Sequence, residues 1–184
     1  MIAAVVLAAG AGRRMGGPKA LLTLAGETLL RRAVGLALSS GCSPVVAVVG
    51  PWDPGLEGLA AQAVLNPVAS EGMASSIRAG IAALPEAAEA ALLLTVDQPG
   101  VDLALLRRLL ARSAEDPERP VACAYGDTLG IPAVVPRRLF PDLLALRGDR
   151  GAKAILLREG TSTLPFPGAE ADLDTPEDLA RIRR

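Results

Sequence analysis

The chain has 184 residues, which suits one domain, 1–184, with a sizeable core. Hydrophobic residues make up 51% and aromatic residues only 2%, which argues against a disordered chain and against a single-stranded nucleic-acid platform, since such a platform needs stacking rings. The formal net charge is −1. Histidine is absent, so Ser-His-Asp catalysis, Cys-His catalysis and a His-ligated metal are excluded.

The sequence also bears on location and redox state. The apolar run at residues 2–9 is too short to span a bilayer, and no basic segment precedes it. Cys42 and Cys123 are isolated and form no Cys-x-x-Cys pattern, which is typical of reduced, buried thiols. We therefore predict a cytoplasmic protein with no membrane and no nucleic-acid partner.

Strand-like apolar runs alternate with helical periodicities along the chain. The predicted strands are 2–7, 44–49, 63–65, 91–96, 121–125, 132–135 and a short one around Leu164. The predicted helices are 27–40, 73–84 with Met73, Ile77 and Ile81 inward, one capped by Asp102, 149–158, and a last one capped by Thr175. Repeated βα units predict the α/β class: a three-layer α/β/α fold with a mostly parallel sheet, whose ligands bind at the carboxyl ends of the strands.

The first predicted strand runs into a glycine-rich, cationic loop. Gly10 and Gly12 let backbone N–H groups approach an anion closely, and Arg13, Arg14 and Lys19 supply charge that matches a polyphosphate. A P-loop would need Ser or Thr after Lys19, where Ala20 stands, and a Rossmann fingerprint would need its third glycine one position before Gly16. The alternative is a plain strand-to-helix turn with solvated basic residues.

Asp97 follows the apolar run 91–96 and would lie at the same sheet edge as the glycine loop. A triphosphate site needs Mg²⁺, and Mg²⁺ takes one or two carboxylates together with waters. Taken alone, Asp97 also suits a turn, since Asp-x-Pro favours one. A second acidic group, Asp172 and Asp174, precedes Thr175; it is either a second metal contact or simply an acidic helix start.

Small and hydroxyl residues lead from the third predicted strand into the next helix. Asn66, Gly72, Ser75 and Ser76 lie in this segment, and such groups at a helix start suit base, ribose or phosphate contacts. Capping by Ser70 is the simpler interpretation of the segment on its own.

The stretch VVLAAGAGRRMGGPK resembles the signature loop, LAxGxGxRMG…K, of nucleotidyltransferases with a Rossmann-like fold. Together with Gly130-Ile131-Pro132, Arg147-Gly148-Asp149-Arg150-Gly151-Ala152-Lys153 and the turn at 172–178, it resembles the molybdenum cofactor cytidylyltransferases, which are related to the guanylyltransferases of that cofactor. One departure is Lys153, where an arginine is expected. The resemblance implies a nucleotide-diphospho-sugar transferase-like fold.

The resemblance also implies an activity: Mg²⁺-dependent transfer of CMP from CTP to the phosphate of a molybdopterin-type cofactor, with release of pyrophosphate. It implies catalytic roles for Arg13, Lys19 and Asp97, metal contacts for Asp97, Asp174 and Asp172, and a nucleotide pocket formed by Leu7, Ala8, Ala9, Gly10, Gly12, Arg14, Asn66, Gly72, Ser75 and Ser76. An apo-molybdenum hydroxylase or its chaperone is the implied protein partner.

CTP is expected over GTP for two reasons. Ala9 stands where guanylyl-transferring relatives more often have glycine, and no acidic residue precedes Lys19. The alternatives are guanylyl transfer to the same cofactor, nucleotidyl transfer to a sugar or alditol phosphate, and a non-catalytic nucleotide or cofactor carrier. An NAD-linked oxidoreductase is a further class, weakened by the glycine spacing.

Overall fold

The computed structural model of the chain describes residues 1–12, 16–166, 173, 175 and 178. Within them, seven strands form one sheet: β1 (Ile2–Leu7), β4 (Val45–Val49), β5 (Ala61–Leu65), β6 (Ala90–Thr95), β7 (Val121–Tyr125), β8 (Thr128–Pro136) and β9 (Ser162–Pro165). Their order across the sheet is β5-β4-β1-β6-β8-β7-β9. A two-stranded ribbon pairs β2 (Thr23–Leu24) with β3 (Glu27–Thr28).

The sheet is mostly parallel, as predicted. Strand β1 pairs in parallel with β4 on one side and with β6 on the other, whereas β8 runs antiparallel to both of its neighbours. The chain leaves β1 toward β4 and β5 and then returns across β1 to form β6. This reversal of direction leaves a crevice at the carboxyl ends of β1 and β6, where open α/β sheets bind ligands.

Two helical layers cover the sheet. Helices α1 (Leu29–Ser39) and α3 (Leu103–Glu115) pack on one face, while α2 (Met73–Ala82), α4 (Phe140–Leu144) and α5 (Lys153–Arg158) pack on the other. Both faces of the sheet are covered because successive side chains of a strand point to opposite faces: Ala4 and Val6 of β1 pack in the first core, and Val5 and Leu7 pack in the second. The three-layer α/β/α prediction is confirmed.

Helix α2 lies close to the sheet because Gly80 has no side chain. A methyl group there would overlap Val5 Cγ1 and lie 3.0 Å from Val48 Cγ2. The close approach fixes the height of α2 above β1 and β4, and with it the position of the first turn of α2 at the crevice.

Several boundaries differ from the sequence prediction. Helix α1 begins at Leu29 because Thr28 Oγ1 caps it, accepting from Arg31 N at 3.2 Å. Helix α5 begins at Lys153, so Asp149 lies in the preceding turn and does not cap it. The inward orientation predicted for Met73 is wrong: Met73 is 44% exposed, whereas Ile77 and Ile81 are buried. Ser70 belongs to a short 3-10 turn and caps no helix.

The caps predicted at Asp102 and Thr175 have their hydrogen bonds. Asp102 Oδ1 accepts from Leu105 N at 2.7 Å, and Thr175 Oγ1 accepts from Asp178 N at 3.3 Å. None of the helices in the described ranges is long and apolar enough to cross a membrane.

Candidate functional site

A cavity of about 440 Å³ opens at the carboxyl ends of β1 and β6. Among the residues predicted for the site, those that line it are Leu7, Ala8, Ala9, Gly10, Gly12, Lys19, Gly72, Ser76 and Asp97. The lining also includes Ala69, Met73, Thr95, Val96 and Asp149, to which the sequence analysis gave no role in the site. The cavity therefore lies where the sequence predicts ligand binding, at the carboxyl ends of the strands.

The floor of the cavity is the loop that follows β1. Ala8 N donates to Val48 O at 2.9 Å, which continues the strand pairing, and the chain then turns away. Gly12 has φ +56°, and a methyl group there would overlap Gly17 O and lie 3.0 Å from Lys19 N. Gly12 is thus required by the backbone, and the loop returns across it to bring Lys19 to the cavity.

Gly10 differs from Gly12. Its backbone lies outside the left-handed region, and a methyl group there would meet no atom of the described residues within 4 Å. The described part of the fold therefore does not demand glycine at this position, which lines the cavity. Arg13 and Arg14, predicted to extend this cationic loop, lie outside the described residues.

Two opposite charges meet across the cavity. Lys19 Nζ donates to Asp97 Oδ2 at 3.3 Å, with 20% and 32% of the two side chains exposed. Lys19 begins a short 3-10 turn, Lys19–Leu21, and Asp97 follows β6. The sequence analysis assigns Lys19 to the phosphates and Asp97 to the metal, and the structure places the two residues side by side.

The turn that carries Asp97 is held from two directions. The backbone carbonyl oxygen of Asp97 accepts from Leu173 N at 2.8 Å, and Leu173 is fully buried in the core shared with α1 and α3. Arg32, on α1, donates to Pro99 O at 3.2 Å and to Val101 O at 3.4 Å. Asp172 and Asp174 lie outside the described residues, so their metal contacts stay predictions.

A polar chain follows Asp97 toward β7 and β8. Thr95 Oγ1 donates to Gln98 Oε1 at 3.2 Å, and Gln98 Nε2 donates to Tyr125 Oη at 3.0 Å and to Ile131 O at 3.2 Å. Sequence reasoning missed Thr95 and Gln98; their one signal was that they stand within two residues of Asp97. The network ties the end of β6 to β8 and β7 and limits the movement of Asp97.

The opposite wall is the first turn of α2. Asn66 Nδ2 donates to Ser75 Oγ at 2.9 Å and to Ser76 Oγ at 3.0 Å, and Asn66 Oδ1 accepts from Val68 N at 3.1 Å. Asn66 and Ser75 are buried and do not line the cavity, whereas Ser76 does. The structure therefore shows Asn66 and Ser75 anchoring α2 to the end of β5, and their contact with a ligand stays a prediction.

A turn between α4 and α5 completes this wall. Gly148 O accepts from Ala74 N at 3.1 Å, and Leu146 O accepts from Arg78 Nη1 at 2.8 Å. Gly72 has φ +106°, and a methyl group there would overlap Asp149 Oδ1 and lie 2.6 Å from Gly148 O. The missing side chain of Gly72 lets the turn reach the cavity and places Asp149 in its lining.

A family model described as the MobA-like NTP transferase domain matches residues 4–163. The chain belongs to the MobA-like NTP transferase family. The predictions of a nucleotidyltransferase enzyme and of a nucleotide-diphospho-sugar transferase-like fold are confirmed at this level. The family match does not specify cytidylyl transfer.

Three curated relatives of this family member have different names. Nicotine blue oxidoreductase of Paenarthrobacter nicotinovorans is 36% identical over 98% of this chain and 96% of its own length. Molybdenum cofactor guanylyltransferase of Rhodobacter capsulatus is 35% identical over 98% and 94%. The 2-C-methyl-D-erythritol 4-phosphate cytidylyltransferase of Xanthomonas campestris is 32% identical over 97% and 82%.

Solved structures give the same fold. Rv0371c of Mycobacterium tuberculosis H37Rv superposes with a TM-score of 0.82 at 29% identity, covering 99% of this chain and 97% of that one. A structure of Rv0371c in complex with manganese has a TM-score of 0.75 at 27% identity, covering 98% and 97%.

The donor set of this MobA-like cavity fits a hard divalent cation. The described residues contain no group of three or more His, Cys, Asp or Glu side chains that could enclose a metal. Mg²⁺ does not need such a group, because it binds one or two carboxylates and takes its other ligands from water and substrate phosphates. Asp97, partly exposed to the cavity beside the glycine loop, is a carboxylate of that kind.

Proposed function

We propose that the chain transfers a nucleotidyl group from an NTP to the terminal phosphate of a molybdopterin-type cofactor and releases pyrophosphate. The observation that carries this proposal is the meeting of Lys19 and Asp97 over the glycine loop, inside a cavity large enough for a nucleotide. The relative named molybdenum cofactor guanylyltransferase supports the acceptor. The product would pass to an apo-molybdenum hydroxylase or its chaperone.

The residues suit a reaction that needs positioning and charge neutralisation more than proton transfer. An oxygen of the acceptor phosphate attacks the α-phosphorus of the NTP, the bond from that phosphorus to the bridging oxygen breaks, and pyrophosphate leaves with the electron pair. The attacking oxygen is already anionic, so no strong base is required, and the sequence contains no histidine. Lys19, with Arg13 and Arg14, stabilises the charge that develops on pyrophosphate.

The loop amides around Gly10 and Gly12 bind the β- and γ-phosphates. Asp97, with Asp174 and Asp172, would hold a Mg²⁺ ion, which when bound supplies positive charge to the triphosphate. Binding of the nucleotide and the metal would separate the Lys19–Asp97 pair, since each partner then faces a stronger counter-charge.

CTP is the proposed donor. Ala9 lines the cavity and packs in the same core as Ala74 and Ile77 on α2. Its methyl group narrows the space between the loop and α2 by comparison with glycine, which favours a pyrimidine. A methyl-sized difference gives only about 10–200-fold discrimination, so hydrogen bonds to the base must add to it. Guanylyl transfer to the same acceptor is the alternative.

The test is a pyrophosphate-release assay with each of the four NTPs and a molybdopterin-type acceptor. We expect release that requires both the acceptor and a divalent cation, is abolished by excess EDTA and is greatest with CTP. Asp97→Asn keeps the shape of the side chain and removes its charge, so its activity should fall at least tenfold. Full activity of Asp97→Asn, or of the wild type in EDTA, would contradict the metal role of Asp97.

A second candidate function is an oxidoreductase with a nucleotide cofactor. The relative named nicotine blue oxidoreductase, at 36% identity over nearly the whole chain, is the observation that favours it. NADH or NADPH oxidation in the presence of a reducible aromatic substrate tests this candidate. Turnover there, with no pyrophosphate release from any NTP, would replace the first proposal.

A further inference from the structure

The cavity contains a carboxylate that the proposed transfer does not use. Asp149 lines the cavity, and its residue is exposed. Among the described residues, no lysine or arginine forms an ion pair with Asp149. Asp149 also caps no helix, because the first turn of α5 starts after Ala152. A structural role at a helix end therefore does not explain this side chain.

Asp149 is held at the wall by backbone contacts. Gly148 O accepts from Ala74 N at 3.1 Å, so the residue just before Asp149 is fixed to the first turn of α2. Arg78 holds the start of the same turn through Leu146 O at 2.8 Å and is itself paired with Glu71 at 3.0 Å. These contacts fix the backbone on the amino side of Asp149 and keep its carboxylate at the cavity wall, where it can accept hydrogen bonds from a bound molecule.

The sheet topology indicates which part of a nucleotide would meet Asp149. The first turn of α2, beside Asp149, is anchored to the end of β5 through Asn66, and Gly80 of the same helix lies against β1 and β4, whereas Asp97 follows β6. In the order β5-β4-β1-β6 the strands β5 and β6 are three spacings, or about 14 Å, apart, so the two carboxylates belong to different walls of the cavity. A triphosphate beside Lys19 and Asp97 leaves the nucleoside to extend toward α2, and a carboxylate there would repel a phosphate.

We propose that Asp149 selects the NTP by accepting hydrogen bonds from donor groups of its nucleoside, either the amino group of the base or the ribose hydroxyls. The proposal rests on the proposed function, because it takes an NTP as the ligand of this cavity. An ionised carboxylate accepts and cannot donate. It therefore favours cytosine, which presents an amino group, over uracil, which presents a carbonyl oxygen at the same position.

Equilibrium binding without any acceptor tests the proposal. Titration calorimetry would compare nucleotides that differ by one donor group: CTP with UTP, GTP with ITP, and CTP with 2′-deoxy-CTP and 3′-deoxy-CTP. The variant is Asp149→Asn, which retains size and can donate to a carbonyl. The control is Asp116→Asn, an exposed acid between α3 and the amino end of β7, at the opposite edge of the sheet.

We expect the wild type to prefer at least one donor-bearing nucleotide by about tenfold or more, since hydrogen bonds to charged groups are strong. Asp149→Asn should reduce that preference about tenfold and leave inorganic pyrophosphate binding and melting temperature unchanged, while Asp116→Asn should match the wild type. Loss of the CTP–UTP or GTP–ITP preference assigns the base, and loss of a deoxy preference assigns the ribose.

Unchanged preferences in Asp149→Asn would overturn the proposal, as would a loss of pyrophosphate binding equal to the loss of CTP binding. Because no acceptor is present, these outcomes are separate from the failure of the proposed function. That failure would show as a wild-type protein that binds no NTP, or that binds NTP and transfers nothing to the pterin.

Discussion

Replacing Gly72 with alanine should destabilise the fold and damage the cavity together. Gly72 has φ +106° and ψ −176°, a conformation that is essentially confined to glycine and costs another residue about 1–3 kcal/mol. The new methyl group would also overlap Asp149 Oδ1 and lie 2.6 Å from Gly148 O, so the 146–149 turn must move away from α2. Gly72→Ala should therefore add backbone strain and also displace the cavity wall.

The magnitude follows from the size of the protein. For a domain of this length, 1 kcal/mol shifts the melting temperature by about 2–4 °C, so strain alone should lower that of Gly72→Ala by about 2–12 °C. Displacement of the turn should also weaken NTP binding. Circular dichroism melting and titration calorimetry measure the two effects on the same sample.

Gly160→Ala is the matched control. Gly160 also has a positive φ, +60°, but a methyl group there would meet no atom within 4 Å in the part of the chain that the structure describes. Its cost is the left-handed conformation alone, about 1–2 kcal/mol, and NTP binding should not change. A Gly72→Ala variant that melts no lower than Gly160→Ala and binds NTP like the wild type would contradict the predicted clash of a side chain at position 72 with the 146–149 turn.

Three further perturbations follow from the same geometry. Lys19→Ala should lower kcat/KM by a factor that corresponds to about 2–4 kcal/mol of transition-state stabilisation while the melting temperature falls by a few degrees at most, and wild-type kcat/KM would refute its assignment. Gly10→Ala should melt like the wild type but bind NTP more weakly, because its methyl group enters open cavity space; unchanged affinity in calorimetry would mean that no ligand approaches Gly10. Burial raises the pKa of Cys123 to about 12 and also raises the pKa of Cys42, so both thiols should stay protonated at pH 8 and react with a thiol-specific disulfide reagent only after denaturation in guanidinium. Rapid labelling of either cysteine in the folded protein would contradict their burial.

The sequence predicted those parts of the site that depend on strand ends. An apolar run that stops at Gly10 or Asp97 marks a carboxyl end, and parallel strands bring such ends to one edge. The places of Gly12 and Lys19 at the cavity were also predictable, since both are close in sequence to the end of the strand. These are local signals combined with one topological rule.

Other features depend on contacts between segments far apart in the chain. Met73 shows a helical spacing with Ile77, yet it lies at the cavity and is exposed because the wall of that cavity comes from the distant 146–149 turn. Asp149 was predicted as the first residue of the helix 149–158, and only its approach to Gly72 reveals it as part of the cavity lining. Asn66 donates hydrogen bonds to two serines and anchors α2, a role that the sequence did not indicate, and its contact with a nucleotide stays a prediction.

The central proposal is that this cavity transfers the nucleotidyl group of an NTP to a phosphorylated pterin and releases pyrophosphate. The most direct measurement counts both products of one reaction: pyrophosphate by a coupled assay and the nucleotidylated pterin by mass spectrometry, with CTP and GTP present at equal concentration. We expect the two products in a one-to-one ratio, with the added mass of CMP on the pterin, and neither product at more than a trace from Asp97→Asn. Addition of GMP would move the chain to the guanylyl branch. Pyrophosphate without a nucleotidylated pterin, or no pyrophosphate at all, would contradict the claim.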